Sequence, residues 1–387
     1  MHPVKHYSFM RRIIIPSLIF MIFSYSCKKS NQSTANTNYS VPTTYTFANV
    51  NDTASLQLLA MADQVMAAIN HANSSPNTVV STQTLDDMLN NTGGYFVDSA
   101  LTLNASGLKL ATCFPAAALT AVQDYFDSVG LYSQSTTAAS PGVPGVSPSS
   151  VTPSKLYLLS PNGVYYSQVI KKAIMGMCAY QIADVYMADS INSTTDTTIL
   201  EHYWDKAFGL FGVPVNFPTS TTGLRYFGSY SNQVNAGLGS NTSIMNAFLK
   251  GRAAIANNDL TTMKAQAALL ITTFDSLDAA AIVQEMHETN TNIEAGDAVA
   301  AYGTLSESLG FVRNLAYNNS PNRVITNAQI AQLLALYDSV NPNSPSLYNF
   351  VGVNAGLTVA QIEAKTNAIA QLIGQIYGFT ATELPLL

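Results

Sequence analysis

The sequence predicts an all-α protein, a helical bundle of roughly ten helices. Three observations point there. Apolar residues recur three and four places apart through most of the chain, residues that start and stop helices bracket those runs, and no alternating β-branched run marks a sheet. Leu58, Met61, Ala62, Val65 and Ile69 form a first helical face, stopped at the Asn73-Ser-Ser-Pro76 turn. Thr84 with Asp87 reads as a capping box opening a short second helix. Pro115 to Tyr132 predicts a third, with Leu119, Val122, Tyr125 and Phe126 on one side. Residues 133–155 are rich in Ser, Thr, Pro and Gly and read as a long loop.

Asn162 to Ala188 reads as a long helix that is apolar on nearly every side and therefore central. Thr198 and Glu201 form a capping box for the next helix, which ends near Gly212 and Pro214. Residues 214–240 read as a second long irregular stretch. Asn241 caps a helix to about Asn257, and Leu260–Thr289 and Glu294–Tyr317 give two more. Thr326 with Gln329, and Thr358 with Gln361, open the last two. Function is expected in the two long loops, because long loops within compact domains are usually functional or disordered.

Composition excludes several classes. Apolar residues make up 47 % of 387, which rules out a chain disordered throughout. Charged residues make up only 10 %, against ~25 % in typical soluble domains. The net charge of −6 argues against nucleic acid as a partner. Three Cys cannot build a disulfide scaffold, and Cys113 and Cys178 in apolar helical contexts read as buried free thiols. There is no GxxxxGK[ST], GxGxxG or GxSxG motif. His287-Glu288 fails as HExxH because position 291 is Thr.

The N-terminus reads as an address. Lys5, Arg11 and Arg12 precede an apolar run from Ile13 to Phe23, then Ser24-Tyr-Ser-Cys27. The run is shorter than the ~20 residues a membrane span needs. The order resembles a bacterial lipoprotein signal, residues 1–26, with Cys27 as the lipidated first mature residue; Ser24 stands where a lipobox usually has Leu. Acyl chains such as palmitate on Cys27 would anchor the protein to a membrane. Removing three basic residues and no acidic one takes the charge from −6 to about −9. Residues 27–46 read as a flexible tether and 47–387 as the helical domain, with possible sub-bundles about 47–213 and 241–387. The expected location is the envelope of a Gram-negative bacterium, as an outer-membrane lipoprotein facing the periplasm.

The most distinctive stretch is Glu201-His-Tyr-Trp-Asp-Lys-Ala-Phe-Gly-Leu-Phe-Gly212, which holds the only Trp. His202 and Asp205 are three apart and share a helix face, so they can bind a divalent metal, orient a ligand or bond to each other. The stretch is similar to the "EHxWDEAFGYFG" signature of a family of uncharacterised bacterial envelope lipoproteins. Tyr45-Thr-Phe-Ala-Asn-Val50, Ala247-Phe-Leu-Lys-Gly-Arg-Ala-Ala254 and Leu305–Asn318 fit the same family. That family in turn looks like the imelysins, all-helical envelope proteins of two four-helix bundles with a GxHxxE motif, some named as metallopeptidases and others associated with iron uptake. His202 matches the motif's His; Asp205 stands in place of its Glu and Leu200 in place of its Gly. Ser306 and Glu307 are retained in the second half.

The resemblance implies a cleft lined by His202, Asp205, Ser306, Glu307, Arg252 and Tyr226, with His202 and Asp205 as candidate ligands for a divalent metal or iron. Each residue also has a plainer reading. His202 and Asp205 can simply hydrogen-bond, Glu201 can only cap, and Glu307 on an apolar helix needs a partner such as Arg252, Lys250 or Arg225. No catalytic nucleophile stands out. Three functions follow: a ligand- or metal-binding protein linked to an envelope uptake partner, an imelysin-type metallopeptidase, or a glycan-binding outer-membrane lipoprotein. The shortage of histidines and the missing nucleophile favour binding over catalysis.

Overall fold

A computed structural model describes residues 38–48, 52–74, 76, 78–352 and 356–387. The signal at 1–26, Cys27 and the first part of the tether lie outside the described residues. Of the described residues 61 % are helical, so the all-α expectation holds. In order the helices are α1 (Thr53–His71), α2 (Thr82–Asn90), α3 (Ala116–Tyr132), α4 (Tyr166–Tyr180), α5 (Thr197–Phe211), α6 (Tyr226–Gln233), α7 (Asn235–Leu238), α8 (Ser240–Ala256), α9 (Leu260–Glu294), α10 (Ala298–Asn314), α11 (Asn327–Tyr337), α12 (Leu347–Val351) and α13 (Val359–Tyr377).

The capping boxes at Thr326/Gln329 and Thr358/Gln361 form as the sequence predicts. Other starts move to a better cap. Asp196, not Thr198, caps α5 and accepts from the backbone N–H groups of Thr198 and Ile199. Ser81 caps α2, one turn earlier than expected. Asp297 caps α10 through the N–H of Ala300. The long helix expected to Ala188 leaves α geometry at Tyr180 and continues as a π-helical stretch, Gln181–Asp189.

The two expected loops contain structure. Residues 133–155 supply strand β1 (Gly145–Pro148), which pairs antiparallel with β2 (Leu156–Leu159) in the register Gly145↔Leu159 to Pro148↔Leu156. Four-residue strands are too short to show alternation, so periodicity missed them. The hairpin turn docks on α10, because Asp297 also accepts from Ser149 Oγ and the N–H groups of Ser150 and Val151. Residues 214–240 supply α6 and α7. Tyr, Gly, Ser and Asn are weak helix formers, and α6 is stabilised instead by burying Tyr226, Phe227 and Tyr230.

α9 is the axis of the fold. Its 35 residues span ~52 Å, and it packs against α8, α10, α13 and the π-helical stretch. Its length and apolarity would allow a membrane crossing, but 67 % of that window is buried inside the protein, as in a core helix. Two close approaches lock the helices around it. Gly251 on α8 lies under the Trp204 ring of α5; a Cβ there would sit 1.8 Å from Trp204 Cζ2. Trp204 Nε1 donates to the Phe248 carbonyl at 2.9 Å. Gly310 on α10 lies against Lys172 of α4, where a Cβ would be 2.7 Å from the lysine Cβ. Asn314 Nδ2 donates to the Lys172 carbonyl beside it.

Segment 38–48 is packed against this body. Tyr45, read from sequence as part of the tether, is 3 % exposed and stacks on Phe208 of α5 at 3.7 Å. Its N–H donates to the Val215 carbonyl. Cys113 and Cys178 are free thiols, and burial pushes both upward in pKa, Cys113 to about 11.

Gly251→Ala is expected to lower stability in urea denaturation by about 1–3 kcal/mol or to prevent folding, since the added methyl meets a fully buried indole. Val340→Ala, at a residue 82 % exposed, should change it by less than about 0.5 kcal/mol.

Candidate functional site

Of the residues predicted from sequence to share one cleft, Asp205 and Arg252 join one buried polar cluster and Glu307 a second, while His202, Ser306 and Tyr226 join neither. In the first, Asp205 on α5 has no exposed surface. Its Oδ1 accepts from Arg252 Nε of α8 at 2.9 Å and from the Tyr45 hydroxyl. Arg252 Nη1 lies 2.5 Å from Glu201 Oε1, and Nη2 donates to the Ala48 carbonyl at 2.7 Å. Burial raises the Asp205 carboxyl above the ordinary range against the pull of Tyr45 and Arg252. Arg252 therefore neutralises two carboxylates one helical turn apart and ties segment 38–48 to α5 and α8. Glu201 is an ion-pair partner here rather than a cap.

These contacts bear on the metal-binding expectation at His202 and Asp205. His202 is half-buried and makes no hydrogen bond or ion pair among the described residues. Asp205 is engaged by a guanidinium, whose fixed positive charge opposes a metal cation at the same oxygen. Among the described residues no group of three or more His, Cys, Asp or Glu could hold a metal ion.

The second cluster joins four helices. Lys172 on α4 is 0 % exposed, and its Nζ lies 2.5 Å from Glu307 Oε2 of α10. It also donates to the Tyr230 hydroxyl of α6 at 2.6 Å. That hydroxyl lies 2.8 Å from Glu307 Oε2 and 2.9 Å from Glu285 Oε1 of α9. One hydroxyl has one proton and two lone pairs. The arrangement is satisfied when Tyr230 donates to Glu307, accepts from Lys172 and accepts a proton held on Glu285. The electrostatics agree. Burial, then the Glu307 charge, raises Glu285 well above the usual carboxyl range. Burial works upward on Glu307 too, but the Lys172 ammonium overrides it and holds that carboxyl low. Burial and the two carboxylates push the Tyr230 phenol far up.

Ser306, beside Glu307, does not face this cluster. Its Oγ accepts from the Tyr165 N–H and donates to the Tyr302 carbonyl, fixing the hairpin's exit to α10. Glu307 and Asp205 share no partner, and Arg252 belongs wholly to the first cluster. Tyr226 lies one turn before Tyr230 on α6 and is held at φ 44°, a conformation costly for an aromatic residue.

Two openings reach the lysine cluster. A cleft of about 470 Å³ between α1, α4 and α6 is lined by Asp63, Lys171, Arg225, Tyr226, Ser229 and Tyr230, among others. A smaller one of about 190 Å³, between the hairpin, α4, α9 and α10, is lined by Lys155, Tyr157, Glu288 and Glu307. Gln168 borders both, and its Oε1 has no hydrogen-bond partner. Sequence reasoning missed Lys171, Lys172, Glu285 and Tyr45, whereas the Arg225–Tyr230 stretch already offered its tyrosines as cleft-lining groups. A signal for two of them existed: Lys172 and Glu285 are charges set inside apolar helical runs, where a solvated residue has no place.

Fold and site together define an all-α domain that holds a lysine-centred polar cluster between two clefts. The chain belongs to the family described as "Domain of unknown function (DUF4856)", whose family model matches residues 42–380. The match takes in both clusters and the segment around Tyr45. No curated protein and no solved structure matches the chain.

Arg252→Met should cost about 3–5 kcal/mol of unfolding free energy, because it leaves Glu201 and Asp205 buried without a cation, whereas His202→Ala should cost less than about 1 kcal/mol. The lysine cluster gives opposite pH signatures. Glu285 has a folded pKa above its unfolded value of about 4.3, so its ionisation erodes stability as pH rises from there. Glu285→Gln should remove that erosion. Glu307 has a folded pKa below its unfolded value, so its contribution is present above about pH 4.3 and lost as pH falls through the folded pKa. Glu307→Gln should therefore destabilise at neutral pH and converge with wild type in acid. Urea melts between about pH 3 and pH 8 read both slopes.

Proposed function

We propose that this protein is a lipid-anchored component of a Gram-negative envelope that binds a small polar ligand on behalf of an uptake system, with the ligand in the cleft between α1, α4 and α6. The observation that carries the reading is that this cleft, about 470 Å³, reaches Tyr230, whose hydroxyl is bonded into the buried lysine cluster. The volume lies within the range of small-molecule sites, and the walls are rich in hydrogen-bonding side chains. Tyr226, strained at φ 44°, lines it as well. Strain held at a cleft wall fits a side chain positioned for binding.

The address rests on the N-terminal sequence: basic residues, a short apolar run and Cys27. The likeness to imelysins supports an envelope role and a binding protein of the iron-uptake kind. The metallopeptidase alternative draws little support from Asp205, whose Oδ1 is taken up by Arg252 and Tyr45. The glycan-binding alternative draws limited support, from the two tyrosines of the cleft; the only Trp is fully buried.

Two measurements test this. Cys27→Ala should abolish radiolabelled palmitate incorporation and move the protein from the membrane to the soluble fraction; retained labelling would sink the anchor. A thermal-shift screen with a panel of small polar metabolites should raise the melting temperature of the wild type, and Ser229→Trp, which fills the cleft, should remove the shift. A shift that survives Ser229→Trp puts the site elsewhere.

A further inference from the structure

The cleft carries a charge pattern that narrows its ligand, an inference that rests on the proposed binding role. Lys171 and Lys172 are adjacent on α4, yet their situations differ. Lys172 takes the available partners, Glu307 and Tyr230. Lys171 lines the cleft and has neither a hydrogen bond nor an ion pair among the described residues. Its neighbour's charge, together with partial burial, lowers its pKa, against the weaker upward pull of Glu307 and Glu285. Across the cleft, Arg225 lies 3.5 Å from Asp63 with both side chains more than two-fifths exposed, a loose pair that leaves guanidinium N–H groups free to donate. Among the described residues, Asp63 is the one acidic residue on the cleft wall, against these two cations. The wall is thus cationic within a chain of net charge −6.

The remaining polar wall is neutral. Asn70, Ser167, Gln168, Ser229 and Gln233 offer amides and hydroxyls, which recognise hydroxyl groups, and Tyr226 and Tyr230 offer faces and phenols. We propose that the cleft binds a hydroxylated carboxylate of small-molecule size, with its carboxylate between Lys171 and Arg225 and its hydroxyls toward the amide-lined wall. An anion there supplies the counter-charge that Lys171 lacks. Charge-assisted hydrogen bonds of this kind are stronger than neutral ones and so favour a charged ligand over its neutral analogue.

Isothermal titration calorimetry on the purified full chain tests this, with D-glucuronate, D-gluconate and citrate as carboxylates, methyl D-glucoside as the neutral analogue and inorganic phosphate as the bare anion. At least one carboxylate should bind about tenfold or more tighter than the glucoside, and Lys171→Gln should erase that preference. The melting temperature of Lys171→Gln should equal or exceed that of wild type, because the substitution removes an unpaired, partly buried cation; this separates lost binding from lost folding. Glucoside binding equal to the carboxylates, or a preference that survives Lys171→Gln, overturns the carboxylate assignment and leaves the cleft as a neutral-ligand site. Phosphate binding as tightly as the best carboxylate overturns the hydroxylated class. Silence from every probe overturns the cleft reading as well.

Discussion

A lysine ammonium with no exposed surface is the feature around which the helices must be arranged. Stripping such an ion of water costs several kcal/mol unless charge and hydrogen bonds replace the solvent. Lys172 recovers them from α6, α9 and α10 at once: the Glu307 carboxylate, the Tyr230 hydroxyl and, through that hydroxyl, Glu285. The rings of Tyr230 and Phe311 lie 4.6 and 5.0 Å from the ammonium and add cation–π attraction. Because each partner comes from a different helix, a shift in any one of them unpairs a buried charge. Gly310 makes the arrangement possible by letting α10 approach the lysine stem.

The Asp205–Arg252–Glu201 cluster is the second such constraint, and it explains the most distinctive segment of the sequence. The acidic positions of that segment converge on one guanidinium, and its aromatic positions build the core. Trp204 and Phe208 pack edge-on against Phe248, and Phe211 stacks near it. Tyr45 adds its ring to Phe208 and its hydroxyl to Asp205. A segment that looks like a site is therefore a joint. It fastens the start of the domain to the α5–α8 pair.

The candidate binding site arises at the margin of the lysine cluster rather than within the joint. The cluster consumes one of two adjacent lysines and leaves the other facing a cleft. In physical terms, the fold's own need to pair Lys172 sets up the unpaired charge on Lys171. The tyrosine that serves the cluster also ends the cleft, so ligand recognition and helix packing draw on the same group.

Much of the fold was legible because it depends on local physics. Apolar spacing marked α1, α3 and α9, and the two Thr-x-x-Gln boxes marked α11 and α13. Short elements were not legible: β1 and β2 carry too few residues for a period, and α6 is built from weak helix formers that only tertiary burial makes helical. Of the candidate cleft, Asp205 and Arg252 do meet, and Glu307 does find a buried cation, but the cation is Lys172 and the two groups never join. The sequence by itself determined the helical class, several helix ends and the presence of charges that had to be buried and paired. Which charge meets which was decided only by the tertiary structure, because pairing depends on the approach of helical positions 47 or more residues apart in the chain, and no local pattern encodes that distance.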